Sequence, residues 1–305
     1  MRTLTTFVTL LLIHTVYSQK VIEIWPNEIP NKIKSVEKEI KFYNNDSSLY
    51  SFTKVQKPTL EIFLPPKKNS KRIGLIIMPG GGYKNIAYKW EGITTSNYFN
   101  SKGIATFILK YRTPQSKSVN IKHIAPHQDA QRAIKIVRKH AKKWNIDEQK
   151  IGVIGYSAGG HLASTLGTQF DLESYKKKDS IDYISARPNF MALIYPVISM
   201  NKEIYHSGSA KNLLGSKPSI ELINKYSNEL HVNYNTPPTF IVHSNDDKAV
   251  DVQNSLIFHQ YLNQFNIKNE MHIYQEGGHG YGLAINKGTL SKWPELLYEW
   301  LILLN

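Results

Sequence analysis

Apolar positions along the chain change their rhythm near residue 73, and that change predicts the fold. Before it, Lys20 to Lys71 mixes polar turns with short alternating runs. Leu60-Glu61-Ile62-Phe63-Leu64, stopped by Pro65-Pro66, reads there as a strand of an antiparallel sheet edge. After it, short unbroken apolar runs recur at Ile73–Met78, Ile104–Leu109, Ile151–Ile154, Met191–Tyr195, Thr239–Val242 and Met271–Tyr274. Such runs are expected where a parallel sheet is covered on both faces, because neither side of the strand meets water.

Helical spacing fills several gaps between these runs. Ala130, Ala133, Ile134, Val137 and Ala141 form one stripe of a helix over Asp129–Ala141, with Arg132, Lys135, Arg138 and Lys139 on the other face. His161 to Thr168 is small and apolar enough for a buried helix, and Pro294 opens a last helix with Leu297, Trp300, Leu301 and Leu304 on one stripe. Strands alternating with helices predict an α/β fold, a mostly parallel central sheet with helices on both faces. Residues 199–235 break the rhythm with polar, short-period segments and are expected to form a short helical cap insertion over the carboxyl ends of the strands. No repeat, low-complexity tract or linker divides the chain, so residues 19–305 are expected to be one catalytic domain.

The first residues read differently. Arg2, the apolar run Phe7 to Ile13, and Val16 and Ser18 before a cleavage point form an export signal over residues 1–18, leaving Gln19 first in a secreted or periplasmic protein. The run is far below the roughly 20 residues needed to span a bilayer, so no membrane span is expected. The sequence holds no cysteine, which excludes disulfides, thiolate zinc sites, a cysteine nucleophile and a lipid-bearing cysteine. A formal charge of +14 is spread along the chain rather than gathered on an aromatic platform or a recognition helix. It predicts a solvated basic surface and no nucleic-acid partner.

The chemistry-bearing signal is Gly155-Tyr156-Ser157-Ala158-Gly159-Gly160, directly after one predicted strand and directly before an apolar helix. That is the Gly-x-Ser-x-Gly nucleophile elbow in its strand-turn-helix context: the turn is too sharp for side chains at the glycines, and it pushes Ser157 out at a helix amino terminus. A serine hydroxyl needs a base and an orienting acid, expected later in the order Ser, Asp, His. His279 follows the last predicted strand in the glycine loop Gly277-Gly278-His279-Gly280, and Asp246-Asp247 follow the strand before it. Asp247, three residues before Val250, is preferred to Asp246 as the acid. His161 and His243 are expected to be structural. Pro79-Gly80-Gly81-Gly82-Tyr83 offers backbone N–H groups of Gly81 and Gly82 which, with that of Ala158, are candidates for an oxyanion hole. Neither a metal motif nor a cofactor fingerprint is present, so no metal or cofactor is expected.

With these motifs the chain resembles the α/β-hydrolase superfamily, in the branch that holds bacterial acetyl xylan esterases and related carbohydrate esterases. The likeness rests on Met78-Pro79-Gly80-Gly81-Gly82-Tyr83, Trp90-Glu91-Gly92, Leu109-Lys110-Tyr111-Arg112, Asp129-Ala130-Gln131-Arg132-Ala133, Gly160-His161-Leu162-Ala163, Tyr195-Pro196-Val197, Asn212-Leu213-Leu214-Gly215 and Pro237-Pro238-Thr239-Phe240. It implies Ser157 as nucleophile, Asp247 as acid, His279 as base and Gly81 and Gly82 as oxyanion donors. Asp251 and Ser244 depart from the family's usual proline and glycine. The implied activity is a carboxylic-ester hydrolase that removes acetyl or other short acyl groups from a polysaccharide by a two-step acyl-enzyme route. Tyr83, Trp90 and Tyr195 are expected at the mouth, offering ring faces to a sugar. A prolyl-oligopeptidase-like peptidase lacks the length for its propeller, and an idle polysaccharide-binding scaffold would be expected to lack a triad member.

Overall fold

The structure is a computed structural model that describes residues 20–304; the expected export signal lies outside the described residues. Its strands are β1 (Lys20–Glu23), β2 (Ile40–Tyr43), β3 (Leu49–Thr53), β4 (Thr59–Phe63), β5 (Gly74–Met78) and β6 (Asn85–Ile86). There follow β7 (Ala105–Lys110), β8 (Ile151–Tyr156), β9 (Met191–Ile194), β10 (Thr239–Ser244) and β11 (Asn269–Tyr274). The helices are α1 (Thr94–Ser101), α2 (Ala125–Lys139), α3 (Ala158–Thr168), α4 (Ser207–Leu214), α5 (Ile220–Lys225), α6 (Gln253–Gln264) and α7 (Trp293–Leu303).

Eight strands form one sheet in the order β1-β4-β7-β5-β8-β9-β10-β11. The six from β7 to β11 in that order run parallel, and β4 and β1 join antiparallel at one edge. β5 and β8 are buried along their whole length, as their unbroken apolar runs require. β11 departs from that expectation. At the open edge it has one neighbour, and its residues are half-buried or exposed. A separate three-stranded sheet, β2-β3-β6, was not legible as such, because its pairing joins the early hairpin to a two-residue strand beyond the glycine loop.

The topology decides where a ligand can sit. From β5 the chain passes to β7 on one side, then crosses back to β8 on the other, so the loops after β5 and β8 part at a topological switch point. Met78 pairs with Gly155 in register, which sets the Pro79–Tyr83 loop beside Ser157.

Helix α2 corrects one expectation. Arg132, placed on the helix face away from the apolar stripe, is nonetheless buried and binds Asp179, Asp182 and the Ile24 carbonyl. The chain at 170–186 covers that face of the helix. Arg112 and Asp129 form a second buried pair, with Trp25 Nε1 also donating to the Asp129 carboxylate at 2.8 Å. Arg112, Asp129 and Arg132 are motif residues, and the two arginines tie the chain near residues 24–30 to the end of β7 and to α2. No helix among the described residues is long and apolar enough to cross a membrane.

Candidate active site

Ser157 occupies the turn between β8 and α3 with φ 52° and ψ −120°, a left-handed conformation that costs a non-glycine residue energy. The neighbouring glycines make that turn possible. A Cβ at Gly155 would stand 2.2 Å from the Gly159 carbonyl oxygen, and one at Gly159 would stand 2.0 Å from that of Met78. The strained serine is held by its own backbone: its N–H donates to the Ile194 carbonyl at 3.0 Å, and its carbonyl accepts from Val197 N–H at 3.1 Å.

Three side chains from three loops meet at this turn. His279 Nε2 lies 2.9 Å from Ser157 Oγ, and its Nδ1 lies 2.6 Å from Asp247 Oδ2. Asp247 Oδ1 accepts from the N–H groups of Ala249 and Val250, each at 2.9 Å, which fixes the carboxylate plane. His243, buried at the end of β10, adds Nε2 at 3.2 Å from Oδ2 and is itself held by Ser255 through Nδ1 at 2.7 Å. Burial works against the charge on Asp247. Hydrogen bonds from His243, His279 and Val250 N–H, with the charge of His279, outweigh it and hold the carboxyl well below the usual carboxylate range. An ionised Asp247 keeps the imidazole proton on Nδ1, so Nε2 presents a lone pair to the Ser157 hydroxyl.

Asp246 points elsewhere. Its Oδ1 accepts from Gly277 N–H at 2.9 Å and Gly278 N–H at 2.8 Å, so it pins the glycine loop that carries His279 rather than touching the imidazole. Asp251, the extra carboxylate in this region, accepts from Gln253 N–H beside the start of α6.

The loop after β5 is fastened at each step. Gly80 N–H donates to Glu91 Oε2 at 2.6 Å, the Gly82 carbonyl accepts from Asn212 Nδ2 at 2.7 Å, and Tyr83 Oη lies 2.8 Å from His161 Nδ1. Gly81 at φ 123° and Gly82 at φ 62° take backbone conformations that a β-carbon disfavours. Ala158 opens α3, so its N–H has no partner within the helix. The loop runs close to the elbow: a Cβ added at Gly80 would stand 2.9 Å from that of Ser157.

The aromatic residues expected at the mouth divide. Trp90 is 39 % exposed, with Nε1 donating to the Gly280 carbonyl at 2.8 Å. Tyr83 and Tyr195 are corrected: both are fully buried, their hydroxyls committed to His161 and Glu91, and neither can offer a face to a sugar. Their place in the sequence, beside the glycine loop and at the end of β9, gave proximity to the site but not orientation.

Other residues at the site carried no catalytic signal in the sequence. His206 caps α4, its Nδ1 accepting from Ser209 N–H at 3.2 Å, and its ring lies near Gly82. Burial and the charge of His279 push its pKa down, with Asp247 opposing. Glu91 and Asn212 stood inside quoted motifs without a role.

The family described as BD-FAE matches residues 60–262. The chain belongs to the BD-FAE family. This BD-FAE chain is 36% identical to the acetyl ester-xyloside bifunctional hydrolase of Caldicellulosiruptor lactoaceticus, whose crystal structure aligns with a TM-score of 0.77 over 92% of this chain and 95% of that one. Topology and that likeness together make the fold an α/β-hydrolase. It is also 34% identical over 80% of its length to the acetylxylan esterase of Xylanibacter ruminicola (strain ATCC 19189 / DSM 19721 / CIP 105475 / JCM 8958 / 23). A third relative is endo-1,4-beta-xylanase B of Butyrivibrio fibrisolvens, 35% identical over 82% of this chain. The chain spans 47% and 38% of the lengths of those two curated relatives.

Proposed function

We propose that this chain is an exported serine esterase that removes acetyl groups from xylan or a similar polysaccharide. The observation that carries the proposal is the hydrogen-bonded line from Ser157 Oγ through His279 to Asp247, set on an elbow beside the glycine loop after β5. In this mechanism Ser157 Oγ attacks the ester carbonyl while His279 Nε2 takes its proton, and the carbonyl oxygen gains negative charge against the amides of Gly81, Gly82 and Ala158. The imidazolium then gives that proton to the leaving sugar hydroxyl, and the acyl group stays on Ser157. Water repeats the sequence and releases the acid. Asp247 holds the tautomer that both halves need.

The substrate class is supported by relatives named as an acetylxylan esterase, a xylanase and an acetyl ester-xyloside hydrolase. Segment 199–235, read as a cap, sends Asn212 to the glycine loop and His206 to the rim, which suits a polar substrate with a short acyl group. Trp90 is the aromatic left to stack on a sugar ring.

The test is Ser157→Ala, assayed on 4-nitrophenyl acetate and on acetylated xylan. Turnover of both should fall by about 10⁴-fold or more with the melting temperature preserved. Near-normal turnover by a folded variant would remove Ser157 from the mechanism. Loss on the chromogenic ester, with no acetate released from xylan by the parent enzyme, would remove the substrate.

A further inference from the structure

The turn at Trp90-Glu91 takes no part in the reaction set out above, yet it reaches both loops that carry it. Glu91 is buried, and each of its carboxylate oxygens faces one donor: Gly80 N–H at 2.6 Å from Oε2 and the Tyr195 hydroxyl at 2.8 Å from Oε1. That hydroxyl in turn accepts from Gly282 N–H at 3.1 Å, and the Tyr195 ring meets the His279 imidazole edge on, 4.8 Å between centroids. One residue earlier, Trp90 Nε1 holds the Gly280 carbonyl, and its ring closes over Gly282, where an added Cβ would stand 2.8 Å from Nε1. Glu91 therefore connects the glycine loop after β5 to the loop after β11, two segments about 200 residues apart that share no strand pairing.

We propose that Glu91 is a positioning residue: its ionised carboxylate locks the Gly80 and Tyr195 donors so that the oxyanion loop and the His279 loop keep one relative placement, and its charge supports the His279 imidazolium behind Asp247. This rests on the esterase mechanism above. Both carboxylate oxygens face donors, so the ionised form is the one the network satisfies. Burial is the largest influence and leaves the Glu91 pKa raised, while Gly80 N–H, the Tyr195 hydroxyl and the charge of His279 offset part of that rise. Were hydrogen bonding alone needed at Gly80, an amide side chain could supply it without the cost of burying a charge. His279 is faced by Asp247 from the β10 loop, Ser157 from the elbow, His206 from before α4, Tyr195 and Glu91. Glu91 is faced by the neutral phenols of Tyr111, Tyr156 and Tyr195.

The experiment compares Glu91→Gln, Tyr195→Phe and the double variant in the full chain, with Ser157→Ala beside them. Glu91→Gln should lower kcat on 4-nitrophenyl acetate by about tenfold or more with KM little changed, since misplaced groups weaken the transition state rather than substrate binding. Its acid limb of kcat/KM against pH should move down by about half a unit, because an imidazolium that loses a negative neighbour gives up its proton more readily. Tyr195→Phe keeps the charge and should lower kcat with the limb in place, and the double variant should lose less than the product of the two. An unmoved limb in Glu91→Gln, or losses that multiply, overturns the proposal. If Glu91→Gln does not fold, Tyr195→Phe decides alone, and an unchanged kcat there overturns it. Turnover surviving in Ser157→Ala would instead break the mechanism beneath; an inactive Ser157→Ala beside wild-type behaviour of the others breaks only this inference.

Discussion

Asparagine at position 247 is the substitution that separates the two adjacent carboxylates. Asp247 Oδ1 is occupied by the N–H groups of Ala249 and Val250, so the carbonyl of an asparagine would settle there and leave its NH₂ facing His279 Nδ1. That NH₂ donates, so Nδ1 must accept, and the ring proton moves to Nε2 beside Ser157 Oγ. Nε2 then cannot take the serine proton. The wrong tautomer costs about 10⁴-fold in kcat, which is roughly 5.5 kcal/mol of transition-state stabilisation at about 1.4 kcal/mol per factor of ten. At position 246 the same change should be mild. Only Oδ1 of Asp246 is engaged, by Gly277 and Gly278 N–H, and an asparagine carbonyl can accept both. We expect Asp246→Asn to stay within about tenfold of the parent in kcat/KM on 4-nitrophenyl acetate. The reasoning is refuted if Asp246→Asn is the crippled variant, or if Asp247→Asn works within about tenfold of the parent at neutral pH.

Two further outcomes follow from the structure and the sequence. Burial pushes both His127 and His161 down to about 4, below the roughly 6.5 of an unfolded chain. Below pH 6.5 the unfolded chain therefore takes up protons that the folded one refuses. Stability should fall from pH 6.5 toward 4 with a slope of up to about 1.4 kcal/mol per pH unit for each histidine. Denaturant unfolding at half-unit steps measures it, and a flat profile across that window contradicts it. Export is read from residues 1–18, so the protein recovered outside the cytoplasm should begin at Gln19 on amino-terminal sequencing, and an intact Met1 there would reject the cleavage.

The local sequence determined whatever a short run of residues determines by itself. Unbroken apolar runs marked β5, β7, β8, β9 and β10 because a strand covered on both faces is built mostly of apolar side chains. The elbow was legible because its steric demand falls on Gly155 and Gly159, and any side chain there collides with backbone. The glycine loops around residues 81 and 278 answer a different demand, the positive φ taken by Gly81 and Gly278. What the sequence left undecided were matters of direction and cover. Tyr83 and Tyr195 stand next to the site in the chain, but whether a tyrosine faces a cleft or turns inward depends on partners at His161 and Glu91, 78 and 104 residues away. Arg132 follows the polar stripe of α2, and a helix pattern cannot reveal that the 170–186 segment folds over it with Asp179 and Asp182. The choice between Asp246 and Asp247 rested on spacing until tertiary folding brought β11's loop alongside, where one carboxylate meets an imidazole and the other two backbone amides. Packing between distant segments assigns such partners, because a side chain's environment belongs to the neighbours that folding brings to it and not to the residues beside it in the chain.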